Sequence, residues 1–163
     1  MTTALPATTL TADQRRVAAR LVYGVSNKAI ASQVCLSVDG VASHLSAARK
    51  KMGCPGSSRA VLVHTLLAAR EVPPPAGSGT VPAFTNREVT VIRAMAEHTL
   101  NADIGNAIGV PADDVRAEID ATVDKGDARN AAHLVGLAHT WGILGTSDSH
   151  SATDATATAE PAR

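Results

Sequence analysis

The stretch Gly24-Val25-Ser26-Asn27-Lys28-Ala29-Ile30-Ala31-Ser32-Gln33-Val34-Cys35-Leu36-Ser37-Val38-Asp39-Gly40-Val41 decides how this 163-residue chain is read. Ile30, Ala31 and Val34 recur at helical spacing, so a short helix follows Ser26. A tight turn falls at Cys35-Leu36, and Ser37 is placed to cap the next helix, because a serine hydroxyl accepts from a backbone N–H in the first turn. Two helices cross closely at a short turn only when the crossing side chain is small and the turn residue tolerates crowding. Ala31 fills the crossing position and Cys35 the turn position, and Val41 locks the second helix onto the first. The pattern is helix-turn-helix.

The same pattern returns 74 residues later, with Gly105 at the crossing, Gly109 at the turn and Val115 as the lock. Identities at Thr11/Thr85, Val17/Val91, Asn27/Asn101, Ile30/Ile104 and Val41/Val115 keep the register. The apolar matches Leu10/Phe84, Leu21/Met95 and Leu45/Ile119 fall at core positions, so a duplicated helical unit is expected. Thr11-x-x-Gln14 and Thr85-x-x-Glu88 are capping boxes that open a first helix in each unit. The apolar stripes behind them are Val17, Leu21 and Val22, and Val91, Met95 and Ala96. The second unit's short helix is expected after Asn101, and Pro111 takes the first-turn position of its third helix. Past residue 53 the register is expected to slip by four, aligning Arg59 with Arg129. Fourth helices are predicted over about 58–70 and 127–141, the latter stopped by Gly142.

Composition agrees with helices. The chain is rich in Ala and only 2% aromatic, whereas strands want β-branched and aromatic side chains. The Pro-rich, then Gly-Ser-Gly, segment 73–83 reads as a linker between units 10–72 and 84–144. Residues 1–9 and 145–163 carry Thr, Ser and Ala without periodicity and are expected to be disordered tails. No apolar run reaches the ~18 residues that span a bilayer, and no signal peptide opens the chain, so neither membrane nor secreted protein is expected. Two cysteines make no disulfide framework, and a cytoplasmic, nucleoid-associated protein follows as the expectation.

The first unit resembles the LuxR/GerE-type DNA-binding domain of bacterial transcription regulators. The resemblance rests on Leu10-Thr11, Ser26-Asn27-Lys28-x-Ile30-Ala31, Leu36-Ser37-x-x-x-Val41-x-x-His44 and Lys51-Met52-Gly53, and covers residues 10–70. Thr85-x-Arg87-Glu88 and Asn101-x-x-Ile104 extend it weakly to a degenerate second copy. The resemblance implies an all-α chain of two tandem four-helix units, with a third helix that enters the DNA major groove. It implies base-facing roles for Ala42, Ser43 and Ser46. All three are short, so direct readout should be weak. Gly40 stands where the family usually has Thr, and Gln14 where it has Glu, as in a divergent member.

The neutral total hides a partition. Residues 1–72 hold nine Lys and Arg against three acids, a net of +6, whereas 84–144 hold five against nine, a net of −4. DNA binding is largely phosphate neutralisation, which assigns DNA to the first unit, with Lys28, Arg49, Lys50 and Lys51 as phosphate contacts. The second unit's third helix carries Asp113, Asp114, Glu118, Asp120 and Asp124 and would repel phosphate. Its fourth helix is more apolar than a lone domain needs, so Leu134, Leu137, Ala138 and Trp141 are expected to form a dimer or partner surface.

No catalytic constellation is recognisable, and neither the six histidines nor Cys35 and Cys54 have metal-ligand spacing, so neither an enzyme, a cofactor nor a metal is expected. The expectation is a homodimeric, DNA-binding transcription regulator. Input would come from its abundance, a protein partner or the second unit. The rival is a helix-turn-helix module that grips RNA polymerase, a sigma factor or another regulator instead of DNA.

Overall fold

The computed structural model describes residues 9–77 and 80–145, so the expected tails lie almost wholly outside the described residues. Eight helices and no strand occur among those residues. They are α1 (Ala12–Leu21), α2 (Asn27–Val34), α3 (Val38–Lys51), α4 (Arg59–Ala68), α5 (Asn86–Glu97), α6 (Asn101–Ile108), α7 (Ala112–Lys125) and α8 (Ala131–Thr140). The protein is all-α.

Local chemistry sets the starts. Both capping boxes form: Thr11 Oγ1 accepts from the Gln14 N–H and Thr85 Oγ1 from the Glu88 N–H, while each side chain at the third position returns the bond. Ser26, Ser37 and Ser58 cap α2, α3 and α4 through their hydroxyls. In the second four helices the pattern shifts slightly. Asn101 is the first residue of α6, behind an uncapped Leu100, and Pro111 is the N-cap of α7 instead of its first helical residue.

The turn between α2 and α3 is left-handed at Cys35, with φ of 57°, and Gly109 takes the same conformation at 77° between α6 and α7. The Leu36 and Val110 N–H groups both reach back five residues, to Ala31 O and Gly105 O. The crossing is tight at Gly105, where a Cβ would sit 2.6 Å from Val110 O. Cys35 carries a side chain in a region that disfavours one, and that side chain is exposed. Cys35→Gly should therefore raise stability by about 0.5–1 kcal/mol in urea unfolding, since relief of the left-handed penalty exceeds the added freedom of the unfolded chain.

The third-to-fourth helix connection corrects the expected slip. Gly53 and Asp127 occupy equivalent left-handed positions 74 residues apart, but the next caps are Ser58 and Asn130, 72 apart. The slip is two residues, not four, and Arg59 pairs with Ala131 instead of Arg129. For the same reason α8 starts at Ala131, later than expected: Asp127 breaks the chain direction, and Asn130 Oδ1 accepts from the His133 N–H. Gly142 ends α8 as expected, with Arg70 in the equivalent conformation after α4.

Packing repeats within each set of four helices: α3 lies on α1 and α2, and α7 on α5 and α6. The linker does not separate the two sets. α4 packs on α8 and α5, and one apolar core runs from Leu10 to Leu144. Pro75 is buried, its carbonyl accepts from Thr140 Oγ1 at 2.7 Å, and its ring lies over Gly136 of α8. Leu134, Leu137 and Ala138, expected as a dimer or partner surface, are buried inside the chain at 0%, 7% and 0% exposure, and Trp141 is partly buried against Phe84. This corrects that expectation: the surplus apolar surface of α8 is covered by the chain's own elements, α4 and α5 among them.

Candidate nucleic-acid interface

Val41, Leu45 and Ala48 turn one side of α3 into the core, which leaves Asp39, Ala42, Ser43, Ser46 and Lys50 exposed on the other. Because the packing partners of α3 are α1 and α2, the second set of helices leaves this face open. The expected base-facing residues Ala42, Ser43 and Ser46 thus share one exposed surface. Val38 joins them at the start of α3, 47% exposed, a large apolar side chain that composition and charge did not single out.

The four expected phosphate contacts divide into two kinds. Lys28, in the first turn of α2, and Lys50, near the end of α3, are exposed. Arg49 and Lys51 are partly buried: Arg49 Nε donates to Ser57 O at 2.9 Å, and Lys51 Nζ donates to Thr9 O at 3.3 Å. Those bonds go to neutral carbonyls, which hold the side chains in place and leave their charge uncompensated. Among the described residues no ion pair involves Lys28, Arg49, Lys50 or Lys51. Elsewhere in the first four helices Arg15 pairs with Glu71 and Arg16 with Asp13.

The second set of helices treats its charges differently. Arg87 pairs with Glu118, Arg116 with Asp120 and Lys125 with Glu88. The Lys125 ammonium and the Thr85 N–H hold the Glu88 carboxyl below the usual carboxylate range. Three of its five cations are thereby spent on its own acids, while Asp113, Asp114 and Asp124 stay exposed on α7.

Arg59 was visible in the sequence only as an alignment mark. In the structure it braces the entry to α2, donating through its two terminal nitrogens to Val25 O at 3.4 Å and to Asn27 Oδ1. Burial first, and Arg49 second, lower its pKa. His64 of α4 and His139 of α8 also meet, Nδ1 to Nε2 at 2.9 Å, a pairing across 75 residues that no local motif announces. No group of three or more His, Cys, Asp or Glu that could hold a metal ion occurs among the described residues. None of the helices described is long and apolar enough to cross a membrane.

Residues 8–65, just over a third of the chain, match the family described as GerE: Bacterial regulatory proteins, luxR family. The match takes in α1, α2, α3 and most of α4. No curated protein and no solved structure matches the chain. Residues 8–65 are therefore a helix-turn-helix domain of the luxR family of bacterial regulatory proteins, the type that binds DNA in transcription regulation.

Proposed function

We propose that α3 enters the major groove, with Ala42, Ser43 and Ser46 against base edges and Lys28, Arg49, Lys50 and Lys51 against phosphates. The observation that carries this reading is the open face of α3, together with four cations on α2 and α3 that have no carboxylate partner among the described residues. Serine bonds to several base edges, and Ala42 and Val38 suit thymine methyls, so the readout is degenerate and the affinity mostly electrostatic. The second four helices act as a degenerate copy of the first and a built-in partner for α4. Their acidic α7 is kept off DNA by its own charge. The protein then acts as a regulator at the nucleoid, in the cytoplasm, and one chain presents one reading helix. A homodimer would have to form through a surface other than the core-facing side of α8.

Lys50→Ala/Lys51→Ala tests the docking face. Each phosphate contact adds about 0.9 to the slope of log affinity against log salt, so the double variant should lose up to ~1.8 of slope. Its affinity should fall several-fold on every duplex alike, as read by fluorescence anisotropy with the full chain. Binding and slope equal to the parent protein would refute the face. The acidic α7 surface favours a second reading, a protein-interaction module that grips RNA polymerase or another regulator. Absence of any binding to random duplex at low salt would select it.

A further inference from the structure

We propose that the cleft between the two sets of four helices binds a small apolar carboxylate, its anionic head on Arg59 and its body among the side chains of α5 to α8. The cleft holds about 330 Å³, towards the small end for ligand pockets, which suits a single ring or a short chain. Met95, Ile104, Ile119 and Ala131 are among its apolar walls, and Arg59 and Asn130 stand among its polar ones.

Charge selects the ligand. A guanidinium has five N–H donors in a fork that matches a carboxylate. Arg59 commits one each to Val25 O and Asn27 Oδ1 and has no acid beside it among the described residues. Burial, and after it the charge of another cation, Arg49, disfavour its charged form. A half-buried cation in an apolar cleft gains from a counter-ion, and the protein supplies none. An adjoining groove that shares Ile119 and Asn130 with this one carries Arg116 and Arg129 against Asp120 and Asp124, with Arg116 paired to Asp120, so it offers an anion no net positive charge to compete with Arg59.

The site also touches the DNA-binding surface. Arg59 braces Val25 and Asn27, next to Lys28, so an occupant engaging Arg59 acts on the residues at the entry to α2. That coupling rests on the DNA reading above, whereas the binding itself does not.

Benzoate titrated into the full chain by NMR, with benzyl alcohol as its uncharged counterpart, tests the site. Benzoate should saturate with a Kd on the order of 1 mM, at least about tenfold tighter than the alcohol. Amide shifts should concentrate on Arg59, Asn101, Ile104 and Ile119. Ile119→Trp, which fills the cleft from its partly buried wall, should remove binding in a chain whose unfolding midpoint shows it is folded. Absence of saturation, equal affinity for the alcohol, or full binding by folded Ile119→Trp would each overturn the proposal. Because the readout is binding without DNA, such a failure leaves the proposed function standing.

Discussion

Gly136→Val should destabilise the whole protein by about 3 kcal/mol and leave no folded half behind. Gly136 is buried in α8, and a Cβ there would lie 2.8 Å from Val22 O and 3.0 Å from Pro75 Cγ. Val22 follows α1, and its carbonyl is backbone, so it has no rotamer by which to retreat. Valine adds two methyl groups to the collision. Either α8 moves away from the first four helices or Pro75 is expelled from its place, and both expose core. For a domain of this size the loss corresponds to roughly 6–12 °C in melting temperature.

The cooperativity is as informative as the size. Leu62, Val63 and Leu66 of α4 and Leu134, Val135 and Ala138 of α8 belong to a single buried cluster. Polar ties reinforce the seam: Asn130 Nδ2 donates to Gly24 O at 2.9 Å, and the Ser58 N–H donates to Thr99 Oγ1 at 3.1 Å. Gly24 is itself held twice, by a left-handed φ of 71° and by His133 Cβ, 2.8 Å from where a side chain would begin. Thermal unfolding followed by circular dichroism should therefore show one transition in both the parent protein and Gly136→Val. Two separated transitions would mean that the units do not share a core. A Gly136→Ala variant should lie in between, because the clash remains while helix propensity improves by up to ~1 kcal/mol.

What the sequence made legible was what is local. The capping boxes at Thr11 and Thr85, the short α2 and the open face of α3 each follow from spacing within a dozen residues, and each stands where expected. The residues proposed to face bases were named by the family resemblance, and burial of Val41, Leu45 and Ala48 agrees with it in leaving Ala42, Ser43 and Ser46 outside. The cations proposed to face phosphate were named from the charge partition. The fourth helices were different. An apolar surplus such as that of Leu134, Leu137 and Ala138 looks the same in sequence whether a second chain or α4 of the same chain covers it. The proline run misled in a similar way. It lacks donors and so reads as a separator, yet the Pro75 carbonyl still accepts a bond and its ring still packs. The shortened loop before α8 left too few residues to align by, and Arg59 and the His64–His139 pair gain their roles only from elements far apart in the chain.

That histidine pair makes the fold acid-sensitive in a definite window. His139 is pushed down to about 4 from an ordinary 6.5, by burial and then by His64. His64 is also lowered by burial, against a smaller opposing pull from Glu97 of α5, and the cleft beside His139 carries Arg70 and Glu71. One proton suffices for the hydrogen bond between the rings, and a second charge would sit against the first inside the α4–α8 seam. Between pH 6.5 and about 4 the unfolded chain binds protons that the folded chain refuses. Stability is thus fully present above pH 6.5 and falls as the pH drops towards 4. Discounted for partial exposure of the rings, the loss should amount to about 2 kcal/mol. Urea unfolding at pH 7.5, 6.5, 5.5 and 4.5 measures it. His139→Gln, which keeps a polar side chain but does not titrate, should remove much of the slope between pH 6.5 and 5, above the range of the carboxylates. A smaller slope of the same sign should persist, because burial also lowers His133. An unchanged pH profile in His139→Gln would show that the seam between α4 and α8 is not where these protons act.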